Sequence, residues 1–252
     1  MQQQSSPPTV AYAVDGAVAT IHLDRPDRLN AVNVALVDDL LTALRRAADE
    51  GARVVVLSGR GRAFCAGHDL KEELPPESVE QTTARLELIQ DVTRLIRAYD
   101  GIVVAAVHGY ALGAGAEFAL ACDLVVADED ATFGFPEVEV GLSVTGGVSR
   151  LLIPLVGLAR AKDLMLLGER ISGLRAAEIG LVARTAPPGR HEEVALELAA
   201  RLASRPPTSL TLAKRVLDTG LDATIDEALA AEVHNAVITS TTGEFDQPRA
   251  SQ

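Results

Sequence analysis

Apolar and polar positions alternate through residues 10–23 on either side of Asp15-Gly16, a dipeptide suited to a tight turn, so the chain opens on a predicted β-hairpin. Residues 32–49 place Val37, Leu40, Leu41 and Leu44 at helical spacing and close on Glu50-Gly51, which predicts an amphipathic helix with a glycine stop. The continuous apolar runs at 54–57 and 103–107 are predicted strands buried on both faces. Between them lie a Gly-rich loop over 59–70, a helix start at 69–73 broken by Pro75-Pro76, and a long helix over 79–99. After a second glycine loop (Gly109, Gly113, Gly115) and an Ala-rich helical segment come strands at 124–127 and 132–134. Strand, loop and helix in alternation predict a mostly parallel sheet with helices on its faces.

Beyond Gly146-Gly147 the pattern turns helical: 148–156, 158–167, 175–180 with a short strand at 181–182, then 191–203, 209–218 and 225–237. The polar stretch 239–252 is expected to fray. The expected organisation is a flexible tail over 1–9, an α/β core over 10–190 and a C-terminal helical region over 191–252.

At 252 residues the chain suits one large α/β domain or one domain with a helical appendage. Its net charge of −12 supplies no basic field for nucleic acid or anionic lipid, so a polyanionic ligand needs locally placed Arg or Lys. No apolar stretch reaches the ~18–20 residues of a membrane span. The Gln/Ser/Pro-rich start lacks the cationic and apolar regions of a secretion signal, and a cytoplasmic location is expected. Cys65 and Cys122 sit among small and apolar residues without metal-ligand spacing; they read as buried free thiols, and no metal is expected.

The candidate chemistry lies where strands meet glycine loops. In His108-Gly109-Tyr110-Ala111-Leu112-Gly113-Ala114-Gly115-Ala116-Glu117, small residues let a ligand approach the backbone. The first N–H groups of the helix have no partner within it and can receive developing negative charge. Glu117 sits one turn inside. The loop Phe64-Cys65-Ala66-Gly67-His68-Asp69-Leu70 can offer a second backbone N–H, and two such donors from distant parts of the chain make an oxyanion hole.

These two stretches, with Phe135-Pro136-Glu137-Val138, resemble the crotonase superfamily, whose best-known class is enoyl-CoA hydratase, in the same order and spacing over roughly residues 10–240. The resemblance implies a crotonase-like spiral of ββα units with a C-terminal helical trimerisation region, assembled as a homotrimer or dimer of trimers. It also implies an acyl-CoA thioester substrate, with coenzyme A as the substrate's carrier and no separate cofactor. The backbone N–H groups of His68 and Ala114 would hold the thioester oxygen, and Glu117 and Glu137 would flank the reacting carbons. Ala66, Gly67, Asp69, Leu70, Tyr110, Gly113 and Pro136 would line the substrate. Arg25, Arg28 and Lys71 are candidates for the coenzyme's phosphates, or ordinary surface charges.

The implied reaction is hydration of a 2-enoyl-CoA; enoyl- or dienoyl-CoA isomerisation, or an idle acyl-CoA-binding subunit, are the alternatives. Glu139 shares the direction of Glu137 if the segment is extended, which makes it a rival acid or base. The His68 imidazole either titrates beside the thioester or points away, and His108 reads as a packed strand-end residue. Three departures from the hydratase pattern stand out: Ala114 where glycine is common, a loop over 141–150 without the usual Pro-Gly-Ala-Gly-Gly run, and no basic Glu-Lys-Arg ending.

Overall fold

The computed structural model describes residues 7–72 and 75–244. In chain order the elements are β1 (Val10–Asp15), β2 (Val18–Leu23), α1 (Val34–Asp49), β3 (Val54–Gly59), α2 (Val79–Ala98), β4 (Ile102–Val107), β5 (Tyr110–Leu112), α3 (Ala114–Ala121), β6 (Leu124–Asp128) and β7 (Thr132–Gly134). Then follow α4 (Val148–Val156), α5 (Leu158–Leu167), β8 (Ile171–Ser172), α6 (Gly173–Glu178), β9 (Arg184–Ala186), α7 (His191–Ala203), α8 (Pro207–Gly220) and α9 (Ile225–Thr241). Short 3-10 turns occupy Pro26–Arg28 and Pro136–Val140.

The main sheet has the order β1-β2-β3-β4-β6-β9 and is parallel except for the β1–β2 hairpin. A second sheet, β5-β7-β8, forms its own layer. Strands β3 and β4 are buried throughout, and alternate residues feed opposite faces. Val55, Leu57, Val103 and Ala105 join the larger core with α1, α2 and α3, whereas Val54, Val56, Ile102 and Val104 pack against Ala195, Leu198 and Ala199 of α7. Helix α7 therefore packs into the core on the sheet's second face. Helices α8 and α9 bury little: Lys214 alone in α8, and nothing in α9.

Helices α1 and α2 pack against each other, and each begins on a capped turn. Asn33 caps α1 by accepting from Leu36 N–H (3.0 Å), and Ser78 and Gln81 form a reciprocal capping box on α2. The expected helix start at 69–73 is instead a turn at Leu70 and Lys71, where Asp69 Oδ1 accepts from Lys71 N–H (3.2 Å); residue 73 lies outside the described residues. The expected strand at 181–182 is a buried turn whose apolarity reflects packing, and the strand is β9, two residues on. The C-terminal helix runs to Thr241, past the expected fraying point at 239, while 1–6 and 245–252 lie outside the described residues.

Candidate active site

The two glycine loops meet through a short stretch of pairing. Cys65 bridges Ala111 of β5, donating N–H to Tyr110 O and accepting from Leu112 N–H. One step on, Gly67 and Gly113 pack so closely that a Cβ on either would lie 3.9 Å from the other's Cα, and one on Gly67 would lie 3.0 Å from Leu112 O. Both glycines have positive φ, +96° and +51°, which other residues adopt only under strain. His68 and Ala114 are the next residues on each side. Val32 pairs with Gly67 O and Asp69 N–H, so in this parallel bridge the N–H of His68 faces away from Val32. Ala114 is the first residue of α3. Neither N–H has an acceptor among the described residues, the state required of donors that wait for a ligand's oxygen.

Glu117 stands on wholly buried α3 and is 1% exposed. Thr145 holds its carboxylate twice: the backbone N–H reaches Oε1 at 2.6 Å and the hydroxyl reaches Oε2 at 2.6 Å. Gly146 makes room, because a Cβ there would lie 2.6 Å from Glu117 Cβ. Burial pushes the Glu117 carboxyl above the usual carboxylate range, while the two Thr145 hydrogen bonds pull it back. Glu137 is 5% exposed, and neither of its oxygens has a partner among the described residues. Burial, and after it the neighbouring Glu117, raise its pKa, against an opposing pull from its own backbone. Gly113 leaves the space it occupies, since a Cβ there would lie 2.8 Å from Glu137 Oε1. Two buried carboxylates thus stand beside two free backbone donors, one held by hydrogen bonds and one unheld.

The 3-10 turn at Pro136–Val140 corrects the expectation for Glu139. The segment is not extended, so residues two apart do not share a direction; Glu139 is exposed and lies against Gly168, where a Cβ would meet its Cγ at 3.0 Å. Arg25 has partners within the protein. Its guanidinium donates to Asp69 Oδ2 (2.9 Å) and to Ala31 O, with its side chain 17% exposed, and it braces the loop that carries His68. Arg28 and Lys71 are exposed, as is Tyr110. Ala66 and Pro136 are half-buried in the two converging loops. His108 packs at the end of β4, its ring stacked on His191 at 4.3 Å.

Beside the loops lies a cavity of about 630 Å³ whose lining includes His68, Asp69, Leu70, Ile89, Val144 and Thr145. His68 is thus one of the residues of the cavity wall. Burial, and after it the charge of Arg85, lower the pKa of the His68 imidazole, which favours its neutral form. Thr145 and the α2 residues on this wall carry no recognisable motif in the sequence. A usable signal is Gly146-Gly147, both at positive φ, which marks a turn against something bulky. Replacing Thr145 by Val should remove the hydroxyl's charge-assisted bond, worth about 1.5–3 kcal/mol, and lower turnover by about tenfold or more. Because that bond lowers the Glu117 pKa, the acid limb of the kcat/KM profile should move to higher pH.

The sequence profile of the enoyl-CoA hydratase/isomerase family matches residues 13–249. The chain belongs to this family. Within it, the protein is 37% identical to a 2,3-dehydroadipyl-CoA hydratase of Escherichia coli over 85% of this chain and 84% of the relative. It is 33% identical to a short-chain-enoyl-CoA hydratase of Clostridium acetobutylicum over 86% and 84%. A crystal structure of enoyl-CoA hydratase from Bacillus anthracis superposes with a TM-score of 0.88 at 32% identity, covering 94% of this chain and 93% of that one. The α/β architecture is thus the crotonase fold of the enoyl-CoA hydratase/isomerase family.

Proposed function

We propose that the protein is an enoyl-CoA hydratase that adds water across the conjugated double bond of a 2-enoyl-CoA. The observation that carries this reading is the pair of buried carboxylates, Glu117 and Glu137, in different hydrogen-bonding states beside the unpaired N–H groups of His68 and Ala114. Glu117, whose two hydrogen bonds from Thr145 favour the ionised form against the effect of burial, orients and deprotonates the water. Glu137, without a partner and with its pKa raised by burial and, less, by Glu117, delivers the proton that goes to the α-carbon. The thioester oxygen carries the enolate charge in the hole formed by the two N–H groups. The step moves one water and balances its protons between the two acids, so it calls for no redox group or metal. Incubation with 2-enoyl- and 3-enoyl-CoA tests the assignment. Consumption of the 2-enoyl thioester to a 3-hydroxyacyl product supports it, and interconversion of the two enoyl thioesters alone would make the enzyme an isomerase.

We further propose that the protein assembles as a trimer or dimer of trimers. Helix α9 exposes Ile225, Leu229, Val233 and Val237, one stripe at four-residue spacing, and α4 and α5 expose Ile153, Leu155, Leu158, Leu166 and Leu167. No helix of the described residues is long and apolar enough to cross a membrane. The paired substitution of Leu229 and Val233 by Asp should shift the mass in light scattering from three or six chains to one. An unchanged mass would remove α9 from the interface.

A further inference from the structure

The wall of the large cavity is mostly aliphatic, yet α2 contributes Arg85 to it, the one cationic side chain among the described lining residues. Glu77 fixes this guanidinium along one edge: Nε donates to Oε1 and Oε2 at 3.0 and 3.1 Å, and Nη2 donates to Oε2 at 3.0 Å. Thr82 in turn donates to Glu77 Oε2 at 3.1 Å. The Nη1 edge has no acceptor among the described residues, so part of the five-donor fork remains open beside the cavity. Ile89, which borders the cavity with Thr145, lies four residues further along α2, about 6 Å of helix from Arg85. A chain lying along α2 from Ile89 meets Arg85 one helical turn on, with Thr82 also on the wall.

Charge decides which acyl end suits this donor. Glu77 neutralises Arg85, Asp69 is engaged with Arg25, and Glu72, also on the lining, has no ion-pair partner among the described residues. The polar end of the cavity therefore offers hydrogen-bond donors without net positive charge. A terminal carboxylate would meet repulsion there, whereas an uncharged oxygen acceptor would not.

We propose that Arg85 is a specificity-determining residue that selects 2-enoyl-CoA substrates whose acyl chain bears an uncharged oxygen, such as a hydroxyl, toward its distal end. This rests on the cavity being the acyl site of an enoyl-CoA hydratase, as proposed above. The test measures binding by calorimetry with three saturated eight-carbon thioesters that do not turn over: octanoyl-CoA, its ω-hydroxy derivative and the dicarboxylic mono-thioester. In the wild type the ω-hydroxy ligand should bind about five- to tenfold more tightly than octanoyl-CoA, the scale of one net hydrogen bond to a charged, partly exposed group, and the dicarboxylic ligand most weakly. Arg85→Met should erase the hydroxyl preference. Glu77→Gln, which frees the charge of Arg85 and keeps an acceptor beside it, should tighten the dicarboxylic ligand by about tenfold. That gain is one a merely structural pair would not give, and it carries the test if Arg85→Met fails to fold. Equal binding of octanoyl and ω-hydroxy ligands in the wild type, a preference that survives Arg85→Met, or tightest wild-type binding of the dicarboxylic ligand would overturn the proposal. Parallel assay of crotonyl-CoA separates the two readings: inertness there counts against hydration, while the binding ratios still report on Arg85.

Discussion

Glu137→Gln lowers crotonyl-CoA turnover by at least ~100-fold, the lower end of what general acid–base catalysis contributes, and Glu117→Gln does the same. The expectation rests on the division of labour between the two acids: an amide at 137 cannot deliver a proton to the α-carbon, and one at 117 cannot take one from water. The Glu137 variant has a second signature, in stability. Its carboxyl is buried without a partner among the described residues and its folded pKa is raised, so between the unfolded and folded values the native state holds more protons than the unfolded one. Stability of the wild type accordingly falls as pH rises through that window and stays reduced above it. Glu137→Gln removes the titrating group and with it that cost. It should melt higher than the wild type at pH 7, by a few degrees if the relief is on the order of 1 kcal/mol, and the gain should shrink in acid, where the wild-type carboxyl is protonated in both states. Loss of activity with a gain in stability is the mark of a catalytic acid held at a cost to the fold; a variant that keeps full turnover would take Glu137 out of the mechanism.

Lys214→Met should be the most destabilising substitution outside the site. Lys214 is 6% exposed, and its ammonium donates to Ile96 O, Tyr99 O, Gly101 O and Asp123 Oδ2 at 3.0, 3.0, 3.2 and 3.0 Å. Asp123 Oδ2 also accepts Val103 N–H at 2.7 Å. These bonds tie α8 to the end of α2 and to β4. Methionine fills similar space but leaves a buried carboxylate and three carbonyls without their donor, a loss of about 3–5 kcal/mol and on the order of 10 °C in Tm. Burial already raises the Asp123 pKa, with Lys214 pulling it down. Without the lysine it rises further, so the deficit should be greater at pH 8 than at pH 5, where Asp123 can take up a proton. Adding Asp123→Asn should recover part of the loss, since no unpaired charge is then left inside.

Long periodic segments are legible in the sequence because their pattern is set by one dominant contact: α1 and α7 each lay one apolar face on the sheet, α2 lays its own on α1 and α3, and β3 and β4 are apolar because both faces are covered. Strands β5 and β8, of three and two residues, are too short to show a period and exist through their neighbours. Glu117 and Glu137 are legible through spacing between motifs. Thr145 and Arg85 are not, because each is brought to the site by the fold and not by a motif: Thr145 reaches Glu117 across 28 positions, and Arg85 comes from a separate helix. The surroundings of Arg25 and Glu139 are hidden for one shared reason, that local sequence does not carry the partner: the fold supplies Asp69 to Arg25, and the direction of Glu139 is set by the 3-10 turn at Pro136.

The central claim, that Glu117 and Glu137 add the elements of one water across a 2-enoyl-CoA, is tested most directly by running the reaction on crotonyl-CoA in deuterium oxide and reading the product by NMR. The prediction is 3-hydroxybutyryl-CoA with a single deuterium at the α-carbon, on the same face as the hydroxyl, as two acids flanking one bond require. Recovery of unhydrated thioester, or deuterium appearing only at the γ-carbon, would contradict it.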